Sequence, residues 1–300
     1  MIKNKIENLH NLFTAITSGK EKALYEIAMA EIPEMVYNSN AIENSTLTLE
    51  DTEKILLENI VPKQADTREV YEAKNLAKIT EYLLQNPNLE LNTITILDLH
   101  KMLLSNIDDD IAGRYRTGKE WVRVGSHLGA NPLFVASLMN DLIEKYNVNK
   151  SMFFLDKIAF FHAEFETIHP FCDGNGRIGR VLINQQLIKH GYPPIIIRNK
   201  GKFNDYYPLF TAYQTTAKYD GFTSLFTLSL LESLHKRLSI ITCPKIIPLS
   251  SWAEKNAVKG NVAANKAKRQ TIPAFRLREK WMIPDSYREN IDVFTFFHGF

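Results

Sequence analysis

The residue types best suited to chemistry stand in one run, His169-Pro170-Phe171-Cys172-Asp173-Gly174-Asn175-Gly176-Arg177-Ile178-Gly179-Arg180. Two glycines flank an asparagine directly before the apolar periodic positions Ile178, Val181, Leu182 and Ile188. That pattern marks a helix start, where backbone N–H groups have no partner inside the helix. Those free donors coincide with the positive end of the helix dipole, so the end attracts anions. Arg177 and Arg180, three apart, share a helix face and offer two guanidinium forks suited to phosphate oxygens. His169 is a candidate base near neutral pH, and Asp173 is a hard oxygen ligand of the kind Mg²⁺ takes beside substrate phosphates. The run predicts a phosphate cradle.

The same run resembles the signature of Fic domains, His-x-Phe-x-Asp/Glu-Gly-Asn-Gly-Arg-x-x-Arg, at all eight defined positions: His169, Phe171, Asp173, Gly174, Asn175, Gly176, Arg177 and Arg180. The resemblance implies a Fic-type helical fold with a β-hairpin flap, and transfer of AMP from ATP to a protein hydroxyl. It implies that His169 deprotonates the target hydroxyl and that Asp173 holds Mg²⁺. Gly174, Asn175 and Gly176 would bind phosphate oxygens, and Arg177 and Arg180 would grip the outer phosphates. Upstream, Ser39, Glu43 and Asn44 are similar to the family's inhibitory signature, Ser/Thr-x-x-x-Glu-Gly/Asn. By that resemblance Glu43 pairs with Arg180, fills the space of the ATP γ-phosphate, and places the chain in the class with an N-terminal inhibitory helix. The same site could also remove AMP.

The elements that must position these residues read as helices. Leu24, Ile27, Ala28, Ile32 and Met35 recur at helical spacing, and Thr48-Leu49-Glu50-Asp51 has the spacing of a capping box, with Val61-Pro62 expected to close that helix. Phe153 to Ile168 forms an apolar helix carrying His169 at its end. His162 on it reads as a core histidine, since no third ligand stands at metal-site spacing. Between Asp108 and Ala130 four glycines break the helical pattern around Trp121-Val122-Arg123-Val124, which predicts a hairpin. This hairpin resembles the Fic flap, with Val124, Gly125, Ser126 and His127 bordering the nucleotide. Tyr206 and Tyr207, at the start of a later helix, match the family's pair beside the adenine and ribose. Gln214 stands where some relatives carry asparagine.

With 300 residues and 45% hydrophobic composition, one large domain and a small appendage are expected. The boundaries read as 1–90 for N-terminal helices with the inhibitory segment, 91–244 for the catalytic domain and 245–300 for a separate module, with 244–248 as linker. From residue 245 onward ten Lys/Arg stand against five Asp/Glu, so the tail is basic. Its helix, turn, basic helix and strand pair resemble an excisionase-type winged helix-turn-helix, which implies DNA or an acidic protein as partner of Lys266, Lys268 and Arg269. No segment reads as a signal peptide or a membrane span, and Cys172 and Cys243 alone make no disulfide framework, so a cytoplasmic protein is expected. The expected ligands are ATP and Mg²⁺. The partners are a target protein, or the chain itself, presenting a Ser, Thr or Tyr hydroxyl, and a homodimer is compatible. Two rival readings are a Fic enzyme moving UMP or phosphate, and a DNA-binding regulator whose Fic site senses nucleotide.

Overall fold

The computed structural model describes residues 2–124 and 127–299. Helices α1 (Ile2–Thr17), α2 (Glu21–Ile42), α3 (Leu49–Glu53), α4 (Thr67–Gln85) and α5 (Thr93–Leu104) lead into the strands β1 (Arg123–Val124) and β2 (His127–Leu128). Helices α6 (Val135–Val148), α7 (Phe154–Ile168), α8 (Asn175–Lys189), α9 (Tyr207–Thr216) and α10 (Asp220–Thr242) follow. The chain ends with β3 (Ile246–Pro248), α11 (Leu249–Lys255), α12 (Gly260–Lys268), β4 (Phe275–Leu277), β5 (Lys280–Pro284) and α13 (Val293–His298). The mainly α class is as expected, with two small antiparallel sheets among the described residues, β1-β2 and β3-β5-β4. No described helix is long and apolar enough to cross a membrane.

Two compact units divide the chain: Met1–Ala30 with Pro193–Ile195 and Thr227–Phe300, and Glu31–Tyr192 with Ile196–Phe226. In the second, α8 packs against α4, α5 and α7. Ile178, Val181, Leu182, Ile183 and Leu187 are buried on it, together with Arg177, Arg180, Gln185 and Gln186. A helix so enclosed presents no solvent face, and each large apolar side chain it buries is worth ~1.5–3 kcal/mol. Helix α7 lies against α6, α8 and α9 through a line of buried residues including Leu155, Ile158, Phe161 and Phe165. The capping box forms as its spacing predicts, Thr48 Oγ1 accepting from Asp51 N and Asp51 Oδ2 from Thr48 N, both at 3.1 Å. That helix ends before Val61-Pro62: a π-turn over Lys54–Glu58 runs into Asn59, whose left-handed φ of 57° stops it. Asparagine tolerates this conformation because its side chain can bond locally.

In the first unit, residues 245–300 pack with 1–30 and 227–242. Gln270 is the meeting point. Its Oε1 lies 2.7 Å from His235 Nδ1, its Nε2 donates to Ala267 O at 2.8 Å, and its carbonyl accepts from Lys5 Nζ at 2.9 Å. Arg276 makes a fork with the Glu232 carboxylate (Nε–Oε1 2.9 Å, Nη2–Oε2 2.5 Å). The stretch read as a linker instead contains β3, which pairs with β5 (Ile246↔Pro284, Pro248↔Met282). Ile246 and Ile247 favour a strand, and Pro248 is tolerated because it closes an edge strand.

Candidate active site

His169 is the residue after α7 and takes a left-handed backbone, φ 53° and ψ 63°, which turns the chain sharply toward the α8 start. A buried arginine absent from the sequence reading fixes this corner. Arg116, wholly buried, donates from Nε to His169 O (2.7 Å), from Nη2 to Ile168 O (3.0 Å), and also to Ala130 O. Its backbone N–H reaches Pro170 O at 2.9 Å. It thereby satisfies carbonyls that a helix end leaves free. His127, on β2 opposite Val124, is held by Thr167 O at 3.0 Å from its Nε2. Gly125 and Ser126 lie outside the described residues, so their expected nucleotide contacts are not placed.

Below this corner, the turn opening α8 is braced from inside. Asn175 closes its side chain on Phe171, accepting from Phe171 N and donating to Phe171 O, both at 2.8 Å. Any anion at this turn must therefore meet Asn175 through its backbone. His100 accepts from Gly113 N–H at Nδ1 (3.0 Å), so Nε2 carries the proton that faces Asp173 O at 3.0 Å. Burial pushes His100 down to about 4, and its ring stacks on Phe171 at 3.7 Å.

The Asp173 carboxylate stays ionised: burial works to raise its pKa, but Arg177, the Gly174 N–H and Arg68 outweigh it and hold it below the usual range. Oδ1 accepts from Gly174 N (2.6 Å) and Arg177 Nη2 (3.1 Å), and Oδ2 pairs with Arg68 Nη2. Glu72 Oε1 lies 2.7 Å from Arg177 Nη1, without hydrogen-bond angle, and 3.0 Å from Arg68 Nε. No group of three or more metal-ligating side chains forms among the described residues. One hard carboxylate beside a helix start that attracts anions is the kind of ligand Mg²⁺ takes together with phosphates and water. Arg68 holds that carboxylate in the meantime.

Arg177 and Arg180 do not open onto one surface, contrary to what their spacing suggested. Arg177 lines a cavity of ≈ 660 Å³ with Arg68, Glu72 and Asp173, while Arg180 lines another of ≈ 460 Å³ with Glu166, Tyr206, Tyr207 and Gln214. Both guanidinium groups are buried, and buried charges need partners, which each finds in a different carboxylate. Arg180 donates from Nε to Ser39 Oγ (2.9 Å), and from Nη2 to Ser39 O (2.8 Å) and Glu43 Oε1 (2.8 Å). Burial alone would lower its pKa, yet Glu43 raises it further.

Glu43, His169, Asn44 and Gly176 line both cavities. The Glu43 carboxylate lies against the first turn of α8: a Cβ at residue 176 would stand 2.2 Å from Oε1. Glycine is needed there for that approach. The end of α2 that carries Glu43 is held in turn by residues 199–207. Lys202 Nζ donates to Ala41 O (3.0 Å), Ile42 O (3.2 Å) and Asn44 Oδ1 (2.8 Å), and Tyr207 Oη donates to Ile42 O at 2.7 Å. Tyr206 is buried with its hydroxyl 2.8 Å from His162 Nε2. Of the residues unforeseen in the sequence, Arg68, Glu72, His100, Arg116 and Lys202 left no local signal. Glu166, one turn before His169 on the same helix, did.

Residues 90–187 match the sequence profile of the Fic/DOC family. Over 209 residues the chain is 28% identical to the protein adenylyltransferase Fic of Drosophila persimilis, an alignment covering 68% of this chain and 39% of that protein. The chain thus spans about two fifths of the length of the curated relatives it matches. A Fic domain containing signaling protein from Bacteroides thetaiotaomicron superposes with a TM-score of 0.68 at 25% identity, covering 78% of this chain and 95% of that one. A Fic family protein from Desulfovibrio desulfuricans shares the fold with a TM-score of 0.62 at 20% identity, over 95% and 97% of the two chains. Motif, geometry and relatives agree, and residues 90–187 carry a Fic domain.

Proposed function

We propose that the chain transfers AMP from ATP to a Ser, Thr or Tyr hydroxyl of a target protein or of itself, and that Glu43 restrains this through Arg180. The observation that carries the reading is the meeting of the two cavities at His169 and Gly176. One side offers the aromatic residues Tyr206, Tyr207 and Phe210 for a nucleoside, and the other offers the free N–H groups of the α8 start with Arg177 and Asp173. His169 takes the hydroxyl proton, the oxygen bonds to the α-phosphorus, and pyrophosphate leaves. Asp173 would hold Mg²⁺, which neutralises phosphate charge when bound. Positioning and fixed positive charge then do most of the work. The Glu43 carboxylate occupies the α8 turn and shares the Arg180 guanidinium, so a triphosphate tail cannot use either fully.

Labelled ATP incubated with wild type and with Glu43→Gly tests this directly. Protein carrying the added mass of AMP, stronger in Glu43→Gly, is expected; UMP or phosphate as the added group would replace the nucleotide assignment. Equal labelling by both chains would remove Glu43 from control. The drosophilid relative's name supports the AMP assignment. The drosophilid likeness and this geometry concern the Fic domain. For the basic tail we extend the reading to an acidic partner, DNA or protein, meeting Lys268 and Arg269, since Lys266 is already paired with Glu289. A mobility shift that weakens with salt would favour DNA.

A further inference from the structure

Glu166 sits on α7 one turn before His169, with a side chain only 9% exposed. Its Oε2 lies 3.6 Å from His169 Nδ1, while its Oε1 is buried without a hydrogen bond. A carboxylate buried in this way is costly, so its retention calls for a reason. Helix α8 is shaped around it: a Cβ at Gly179 would stand 2.2 Å from Oε1 and 3.2 Å from His162 Nδ1. Burial alone would raise the Glu166 pKa, but the interaction with His169 and the charge of the Arg180 guanidinium overcome this and leave it lowered, hence ionised. His162 is itself pushed down to about 4 by burial.

The His169 ring meets two acceptors on the same edge. Nδ1 is 3.3 Å from Glu166 O and 3.6 Å from Glu166 Oε2, and neither of these oxygens carries a proton. The neutral ring therefore keeps its proton on Nδ1 and leaves the Nε2 lone pair free. A carboxylate behind the base also stabilises the imidazolium that forms when the proton arrives. The other groups facing this pair are His162 on α7, Arg180 on α8, Glu43 at the end of α2, Tyr206 ahead of α9, and Arg116, which donates to the His169 carbonyl. Among the described residues His169 is the ion-pair partner that Glu166 has within reach.

We propose that Glu166 is the positioning residue of His169, fixing the tautomer with Nε2 free and supporting the charge the ring acquires. The role rests on the transfer reading above. The proton passes from the target hydroxyl to Nε2, the hydroxyl oxygen bonds to the α-phosphorus as the bond to pyrophosphate breaks, and the imidazolium later releases its proton to solvent. Glu166 is never protonated in the cycle.

Two measurements on the full chain separate this from a packing role. In ¹⁵N-histidine spectra, with His169→Asn to assign the signals, wild type should show His169 protonated on Nδ1. Glu166→Gln, which keeps the shape and removes the charge, should release the neutral ring to a mixture of the two tautomers. In the Glu43→Gly chain the same change should lower kcat by ~10-fold or more and leave the KM for ATP unchanged. Gly179→Ala should act in the same direction with the charge retained, by displacing the carboxylate, and it decides the matter if Glu166→Gln fails to fold. A neutral wild-type ring protonated on Nε2, or a tautomer and kcat unchanged in both variants, overturns the proposal. If no chain transfers AMP, the reaction assignment falls while the ring tautomer still decides the role of Glu166.

Discussion

One guanidinium, Arg180, is claimed by Ser39 and Glu43 in this structure and by a γ-phosphate in the proposed reaction. Glu43→Gly frees it, so the gain in transfer should depend on it. Combining Glu43→Gly with Arg180→Ala should abolish that gain, because the tail of ATP then lacks an anchor and a misplacement of about an ångström already costs ~100-fold. Labelling by the double variant equal to that of Glu43→Gly would disprove the pairing. His169 is tested separately. His169→Ala should bind ATP as the parent does and lose ~10² to 10⁴-fold in transfer, the usual worth of a general base. ATP binding by calorimetry beside the transfer rate separates these outcomes, and transfer at the parent rate would take His169 out of the mechanism.

At the scale of elements, the proposed control by Glu43 would depend on how firmly the end of α2 is held. Lys202 and Tyr207 contact Ala41, Ile42 and Asn44, the residues bracketing Glu43. Lys202→Ala should loosen that end and raise transfer part of the way toward Glu43→Gly, with Tyr207→Phe doing so less. If transfer in Lys202→Ala stays at the wild-type level, the contacts are packing and not control. Nothing in the sequence pointed to Lys202, because the partners it meets lie about 160 positions away. The α8 start was readable, since glycines and asparagine before an apolar period announce a helix end from a few residues. The capping box at Thr48 was readable for the same reason. Arg116 and Arg68 were not, because their value lies in carbonyls and carboxylates brought near only by folding, Arg68 reaching Asp173 across 105 positions. The apparent common face of Arg177 and Arg180 failed differently: helical spacing fixes where side chains leave the backbone, but long guanidinium arms go where buried charge finds a partner.

For the whole molecule, the sequence drew a boundary at residue 244 that the packing of the first unit does not respect. A chain ended at Pro244 would deprive His235 of Gln270 and Glu232 of Arg276, and would take α13 from α1. Each buried polar group left unpaired costs ~1–3 kcal/mol. Calorimetry of the truncated chain should show a clearly lower or missing transition for the first unit, and a melt matching full length would show the tail to be dispensable. Acid should strain both units. Burial holds His100 and His162 at about 4 and His235 at about 3, whereas an unfolded histidine titrates near ~6.5. Between those values the unfolded chain binds protons that the folded chain does not, so stability rises with pH across this window. It is therefore full above about pH 6.5 and drains as pH falls toward 4, by at most ~1.4 kcal/mol per pH unit for each ring. Tm measured from about pH 7 down to about pH 5 should fall progressively. His235→Asn, which keeps a donor toward Gln270 and removes one titrating ring, should flatten the fall for the first unit. A Tm independent of pH over that range would mean that these rings are not held neutral by burial.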